Sequence, residues 1–268
     1  MDVIITRLMR AKIVNWIKKE VARAKSKGIV LGLSGGVDSG LVAALSKEAV
    51  GKKKVLGLIL PIYSHPGDMR DAKVIAKKLG IKVKIVNLTP AYNNLLKVLP
   101  EAGDLAKANL KPRLRMLTLY YFANKLNYLV CGTGNKPEFM TGYFTKYGDG
   151  GADIFPIAGL LKREVRVLAK GFGLPENIIH RIPTAGLWPG QTDESEIGMT
   201  YLELDDILSR MEKRQKQILP KEKVSKVKRL MQRSEHKRMP AKVCIIRSRP
   251  ENRILQDTDE QRPLKYQP

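Results

Sequence analysis

Cysteine is nearly absent from this chain of 268 residues, which carries only Cys131 and Cys244. Their spacing fits neither a disulfide framework nor a zinc site, so stapled and Cys-ligated folds are excluded and both thiols are expected to be chemically bland. Aromatic residues make up only 6% of the chain. None interleaves with the dispersed lysines, as a platform for stacking single-stranded bases requires. No apolar run approaches the ~18 residues of a membrane span. The segment Met1 to Arg23 alternates basic and apolar residues without the pattern of a cleavable signal, so the expected location is the cytoplasm. Internal repeats and low-complexity tracts are missing, which removes solenoids and arrays. Also missing are a GxGxxG turn and a Gly-Lys-Ser/Thr phosphate loop, the signatures of dinucleotide folds and kinase-type nucleotide sites.

Acidic residues are scarce relative to basic ones, 26 against 49, for a formal charge of +23. Such an imbalance raises nucleic acid as a partner. Against it, Lys18, Lys19, Lys52, Lys53, Lys54, Lys77, Lys78, Lys82 and Lys84 are dispersed over helix faces and strand ends and read as solvated. No nucleic-acid partner is therefore expected, and the charge is left without a purpose. Denser clusters at Lys111 to Arg115, Lys213 to Lys216 and Lys221 to Arg238 suit an anionic substrate, a polyanion or simply a basic surface.

What the chain does contain is a phosphate cradle. Residues Ile29 to Leu33 form an apolar run, Ser34-Gly35-Gly36 a turn, and Val37-Asp38-Ser39 leads into the apolar stretch Leu41 to Ala49. Glycines let the backbone bring N–H groups against phosphate oxygens, and the helix that follows offers its uncapped donors and the positive end of its dipole. Ser34 and Ser39 add hydroxyls. Asp38 repels a bare polyphosphate, which implies Mg²⁺ between its carboxylate and the phosphates; a plain helix N-terminal carboxylate is the simpler alternative. The loop resembles the SGGxDS loop of ATP pyrophosphatases, which split ATP into AMP and pyrophosphate.

Hydrophobic residues make up 43% of the chain, enough for a sizeable core. Ile13, Ile17, Val21 and Ala24 mark an amphipathic helix ended by Gly28. Strands are expected at 29–33, 55–60, 81–86 and 128–132, with helices at 68–79 and 114–127 between them. That alternation predicts an α/β fold, a doubly wound parallel sheet flanked by helices, with its ligands beyond the carboxyl ends of the strands, near Ser34 and Thr133. Segments 133–156 and 183–194 are polar, Gly-rich and aperiodic, and loops that long usually have a function. Helices are expected again at 160–171, 175–181, 201–214 and 221–234. Residues 1–240 form one unit; the tail 241–268, with a short apolar run at Val243 to Ile246, is expected to be flexible.

Three further runs narrow the family: Gly132-Thr133-Gly134-Asn135-Lys136-Pro137-Glu138, then Gly142-Tyr143-Phe144-Thr145-Lys146-Tyr147-Gly148-Asp149-Gly150-Gly151-Ala152-Asp153, then Pro183-Thr184-Ala185-Gly186-Leu187-Trp188-Pro189-Gly190-Gln191-Thr192-Asp193-Glu194. With Lys111 to Met116 and His236-Lys237-Arg238, they resemble the successive motifs of ammonia-dependent NAD synthetase. The resemblance implies an adenine nucleotide alpha hydrolase-like fold in a single domain, and a carbon–nitrogen ligase. Such an enzyme adenylates the nicotinate carboxylate of deamido-NAD with ATP, releasing pyrophosphate, and ammonia then displaces AMP.

By the same resemblance ATP is held by Gly32, Leu33, Ser34, Gly35, Gly36, Val37, Asp38, Ser39, Thr133, Lys162 and Thr184. Asp38 and Glu138 ligate Mg²⁺, and Asp38 and Lys162 carry the catalytic charge. Arg113, Lys146, Asp153, His236 and Lys237 contact deamido-NAD. Glu138 and His236 read alternatively as plain surface residues and Lys162, beside Arg163, as a solvated lysine, and Tyr143, Phe144 and Trp188 either stack on a substrate ring or pack their loops. Pro112 and Pro137 are expected to stiffen loops. The family resemblance also implies a homodimer with a shared deamido-NAD site; Leu114 to Leu126 is apolar on more than one face, as a helix buried on both sides would be, with either a second copy or the chain's own C-terminal helices covering the outer side.

Other amidating ATP pyrophosphatases, such as a GMP-forming synthetase, share SGGVDS but do not account for Gly142 to Asp153. A thiolating RNA-modifying relative wants paired cysteines near the loop, which Cys131 and Cys244 are not. Within this length there is no room for the amidohydrolase domain of glutamine-dependent NAD synthetases, so free ammonia is the expected nitrogen donor.

Overall fold

Helix α1 (Val3–Arg23) buries Val14, Ile17 and Val21 in the core it shares with the helix that follows the first strand, and Gly28 then begins strand β1 (Gly28–Gly32). Chain order continues with α2 (Val37–Val50), β2 (Val55–Ile59), α3 (Pro66–Leu79), β3 (Lys82–Ile85), α4 (Thr89–Val98), α5 (Asp104–Leu126) and β4 (Tyr128–Val130). The remainder is helical: α6 (Lys136–Thr141), α7 (Lys162–Gly171), α8 (Glu176–Ile179), α9 (Asp193–Ile197), α10 (Tyr201–Glu212), α11 (Lys221–Arg233) and α12 (Glu235–Arg238). The computed structural model describes residues 3–184, 186–188 and 190–244.

The four strands run parallel in the order β3-β2-β1-β4. Ile29 pairs with Val55, Val30 with Val130, and Leu56 with Lys82. Alternation along the strands sends side chains to two separate cores. Ile29, Leu31, Val55 and Ile59 face α1, α2, α3 and α7, whereas Val30, Leu58 and Val130 face α4 and α5. This is the expected doubly wound sheet in a single α/β domain. A third apolar cluster joins Leu161, Ile197, Leu204, Ile207 and Val227, and so seats α9, α10 and α11 beside the carboxyl end of the sheet.

Local structure differs from the sequence reading at several points. The helix expected from Leu114 begins at Asp104, so Pro112 lies inside α5 rather than in a loop, and Arg113 is well within the helix rather than at its start. Pro112 is buried, and its ring packs where Gly148 approaches within van der Waals contact. That packing offsets the N–H bond a mid-helix proline forgoes. Pro137 likewise stands in the first turn of α6, where a missing N–H is harmless. Helix α4 is an addition to the expected elements; Pro90 in its first turn and the Asn87 Oδ1 bond from Thr89 N–H (3.0 Å) start it. The aperiodic segment 133–156 is knitted into the fold, with Gly132 N–H on Ile154 O (2.8 Å) and Lys136 N–H on Leu160 O (2.8 Å). In the tail, Val243 and Cys244 are exposed; residues 245–268, part of the segment expected to be flexible, lie outside the described residues.

Candidate active site

A cavity of ≈ 560 Å³ opens at the carboxyl ends of β1, β2 and β4. Its floor is the turn between β1 and α2, which its own hydroxyls hold in shape. Ser34 Oγ lies 3.0 Å from Ser39 Oγ and accepts from Gly36 N–H (3.2 Å), and Ser39 Oγ donates to Gly36 O (3.0 Å). Gly35 has φ +89°, and a Cβ there would run into the Asp68 carbonyl of α3. Glycine is thus required twice over, for conformation and for space. No side chain caps the N-terminus of α2, so its first-turn N–H groups point at the cavity with the dipole's positive end.

Above this turn sits a buried cation shared by two carboxylates. Lys162, only 2% exposed, places Nζ 2.6 Å from Asp38 Oδ2 and 3.5 Å from Glu138 Oε1. Asn135 Nδ2 donates to both acids, at 3.0 Å to Asp38 Oδ1 and 2.7 Å to Glu138 Oε1. Glu138 is fixed locally by a reciprocal cap on α6: its Oε2 accepts Asn135 N–H (3.1 Å) while Asn135 Oδ1 accepts Glu138 N–H (3.1 Å). Lys162 is fixed from afar. Asp205 on α10, wholly buried, accepts the Lys162 and Arg163 N–H groups at 2.9 Å each and so caps α7 at the residue that carries the cation.

Electrostatics follow from burial and proximity. Burial pushes the Glu138 carboxyl up to about 7, helped by the neighbouring Asp38 and Asp193 charges and opposed by Lys162. Burial pulls the Lys162 ammonium the other way, but Asp38 and Glu138 outweigh it and hold the lysine charged above its ordinary range. Tyr201 OH bridges Asp193 Oδ2 (2.9 Å) and Glu138 Oε1 (3.2 Å), with Lys162 Nζ 4.8 Å from its ring centre. Burial among these acids drives its pKa far up, so the phenol stays a donor.

Of the residues singled out in the sequence, Gly32, Leu33, Ser34, Gly36, Val37, Asp38 and Ser39 line this one cavity, joined by Thr133, Glu138, Lys162, Thr184 and Lys237. Gly35 does not line it and turns toward α3 instead. Lys237 Nζ also donates to the carbonyls of Gly142 (2.7 Å) and Phe144 (2.9 Å). Arg113, Lys146, Asp153 and His236 do not line the cavity. Three of these meet on an outer surface, where Lys146 Nζ donates to His236 O (2.6 Å) and Arg113 Nε to Lys146 O (3.4 Å). Asp153 is engaged by Tyr120 OH (3.0 Å) and Val130 N–H (2.7 Å). Tyr143, Phe144 and Trp188 all border the cavity; Phe144 is also stacked on Phe139, with centroids 6.0 Å apart.

Sequence reasoning assigns no role to Asn135, Asp193, Tyr201, Asp205 or Arg115. The Asn135-x-x-Glu138 spacing of a capping box is a usable signal for the first. Arg115 lines the cavity and donates from Nε to Leu60 O (3.0 Å), a contact across 55 residues of chain that no local pattern announces.

Among the described residues no group of three or more His, Cys, Asp or Glu side chains is gathered to hold a metal unaided. Asp38 and Glu138 nevertheless converge on one ammonium and one amide, and two carboxylates beside a phosphate cradle are the hard oxygen donors that Mg²⁺ takes when substrate phosphates and water complete its shell.

A family model described as NAD synthase matches residues 9–241. The NH(3)-dependent NAD(+) synthetase of Carboxydothermus hydrogenoformans is 49% identical over 240 residues, spanning 88% of this chain and 96% of the relative. Among solved structures, the NMN synthetase of Francisella tularensis superposes with a TM-score of 0.83 at 37% identity, covering 89% of this chain and 98% of its own. The NH3-dependent NAD synthetase of Campylobacter jejuni, solved with a nitrate ion, gives 0.78 at 30% identity, covering 91% and 100%.

Proposed function

This chain belongs to the NAD synthase family, and from that premise we propose that it is a carbon–nitrogen ligase that amidates deamido-NAD with ammonia at the expense of ATP, yielding NAD, AMP and pyrophosphate. The observation that carries the reading is the Asp38–Lys162–Glu138 cluster set directly over the turn that cradles phosphates. A carboxylate is a poor electrophile. In the first step its oxygen bonds to the α-phosphorus, the bond to the β-phosphate oxygen breaks, and pyrophosphate leaves with the electron pair. In the second, ammonia attacks the carbonyl carbon, the bond to the phosphate oxygen breaks, AMP departs, and the nitrogen loses a proton.

The chain's own residues meet the charge demands of these steps. The α2 N–H groups and the Ser34 and Ser39 hydroxyls receive the phosphates, with Gly32, Leu33, Gly35, Gly36 and Val37 shaping the turn. Lys162 offsets charge that develops on the α-phosphate, and Asp205 and Asn135 keep it and its partners in place. Thr133 and Thr184, both on the cavity wall, contact the ATP. Asp38 and Glu138 would hold Mg²⁺, which would neutralise phosphate charge. Deamido-NAD is held by Lys237 from within the cavity and by Arg113, Lys146, Asp153 and His236 from outside it.

That outer set supports a homodimer with a shared site. Leu117 and Tyr121 stand one and two turns beyond Arg113 on α5, 63% and 62% exposed, an apolar stripe suited to a two-fold contact. Residues 1–240 constitute the catalytic unit, 241–268 an extension, and the enzyme works in the cytoplasm on free ammonia. The deciding experiment measures products with ATP, ammonium and either deamido-NAD or nicotinate mononucleotide. AMP and pyrophosphate with deamido-NAD are expected. ADP and phosphate would refute ligase chemistry of this type, and a strong preference for the mononucleotide would reassign the substrate toward the activity named for the Francisella protein.

A further inference from the structure

The surplus positive charge looks scattered in the sequence, but the fold collects much of it at one end of the sheet. Lys25 and Lys27 precede β1, and Lys52, Lys53 and Lys54 form the 3-10 turn that leads into β2. Lys77, Lys78 and Lys82 surround the turn into β3, and Lys125 stands just before β4. All nine are exposed. Because the strands are parallel, the four entry segments lie side by side at their N-terminal ends. Contacts bind them together: Lys27 N–H donates to Asn127 O (2.7 Å), Asn127 Nδ2 to Lys25 O (3.3 Å), and the Lys54 carbonyl lies directly against Gly28. Lys52 reaches across to the Gly80 turn.

No acidic residue occurs in these four segments. On the helices that lead into them, Glu20 and Glu48 face Arg23 (3.9 Å) and Arg10 (2.6 Å). None of the nine lysines has a carboxylate within ion-pair distance among the described residues. Three strand spacings of ~4.8 Å separate the four strand starts by about 15 Å, and the lysines of the entry segments flank that row. Like charges so concentrated oppose the compact state unless an anion neutralises them.

We propose that this lysine face docks the phosphodiester backbone of a nucleic acid, without reading its sequence. Duplex DNA carries a charge every ~1.7 Å of its axis, so a row of this width meets several phosphates at once. The side chains are point charges rather than planar forks, and no exposed aromatic stands among them, so bases have nothing to stack on. A lipid surface is the poorer match, since no large exposed apolar side chain lies in these segments to enter a bilayer. The face lies at the end of the sheet opposite the nucleotide cavity, so docking leaves that cavity open.

The test uses the full chain with short fluorescein-labelled RNA and DNA duplexes of unrelated sequence, titrated from about 50 to 200 mM salt. The triple variant Lys52→Ala/Lys53→Ala/Lys54→Ala is compared with Lys213→Ala/Lys216→Ala/Lys221→Ala, which removes the same charge from exposed positions of the C-terminal helical region. The first triple is expected to weaken binding at least about tenfold and to flatten the slope of log K against log salt by about 2.7, near 0.9 for each phosphate no longer neutralised. The second should leave both nearly unchanged, and both should retain synthetase activity. The proposal fails if the wild-type chain does not bind either duplex, if the two triples weaken binding alike, or if phosphatidylglycerol vesicles bind in the duplexes' place.

Discussion

Replacing Lys162 with methionine, which keeps its length and apolar stem, tests whether the buried cation holds the site together as well as acting in it. In the native site Nζ stands 2.6 Å from Asp38 and 3.5 Å from Glu138, and the side chain has almost no contact with water. Deleting one partner of such a cluster leaves uncompensated buried charge, a destabilisation of ~3–5 kcal/mol. At ~2–4 °C per kcal/mol for a domain of this size, the melting temperature should drop by roughly 10 °C. Adding Asp38→Asn to Lys162→Met removes one of the stranded charges, so the double variant should recover ~1–3 kcal/mol relative to the sum of the singles. Turnover should stay abolished in both.

The deficit should also depend on pH. Glu138 already titrates at about 7 in the folded chain against an ordinary 4.5, so the folded state holds its proton more tightly than the unfolded one. A group of that kind supports folding fully below its unfolded pKa and progressively less as pH rises through its folded one. Without Lys162 that window moves upward. In metal-free buffer, Lys162→Met should therefore be closer to wild type near pH 6 than near pH 8. Urea melts at both pH values, with pyrophosphate release as the activity measure, provide the numbers. Strict additivity of Lys162→Met and Asp38→Asn, or a deficit that does not change with pH, would refute the electrostatic account.

Asp205→Ala should cost about 2–3 kcal/mol, because it strands the buried Lys162 N–H and the half-buried Arg163 N–H at the start of α7, and it should lower kcat more than it raises KM for ATP, since Lys162 shifts with that turn; intact kcat would show that the cap does not position the lysine. Native protein should react at one thiol with a disulfide reagent, the exposed Cys244, and at two only after unfolding, because burial pushes the Cys131 thiol up to about 12; two fast thiols in the native state would contradict that packing. Leu117→Asp on the exposed stripe of α5 should convert a dimer to monomers by light scattering and depress activity with deamido-NAD, while a dimer that survives the change would place the interface elsewhere.

Much of the molecule is legible in its sequence because the relevant signals are local. The Ser34 to Ser39 turn and the apolar runs on either side specify strand, cradle and helix within a dozen neighbours, and apolar runs in β1 and β2 mark a sheet covered on both faces. Asn135 and Glu138 lie three residues apart, so their mutual cap is also within reach of pattern reading. Local signals also mislead: Pro112 reads as a loop-stiffening residue, and only its burial against the Gly148 turn shows why α5 runs through it. Tertiary structure alone decided which charges meet. Lys162 reaches Asp38 across 124 residues, and Asp205 caps α7 from 42 and 43 residues away. Tyr201 ties Asp193 to Glu138 by the same means, reaching back 63 residues to the glutamate. The lysines at the opposite end follow the same rule, since residues dispersed along the chain become neighbours when parallel strands align their starting points. Chain spacing fixes which residues share a turn, whereas Coulomb interactions depend on distance in space, and that distance is set by packing.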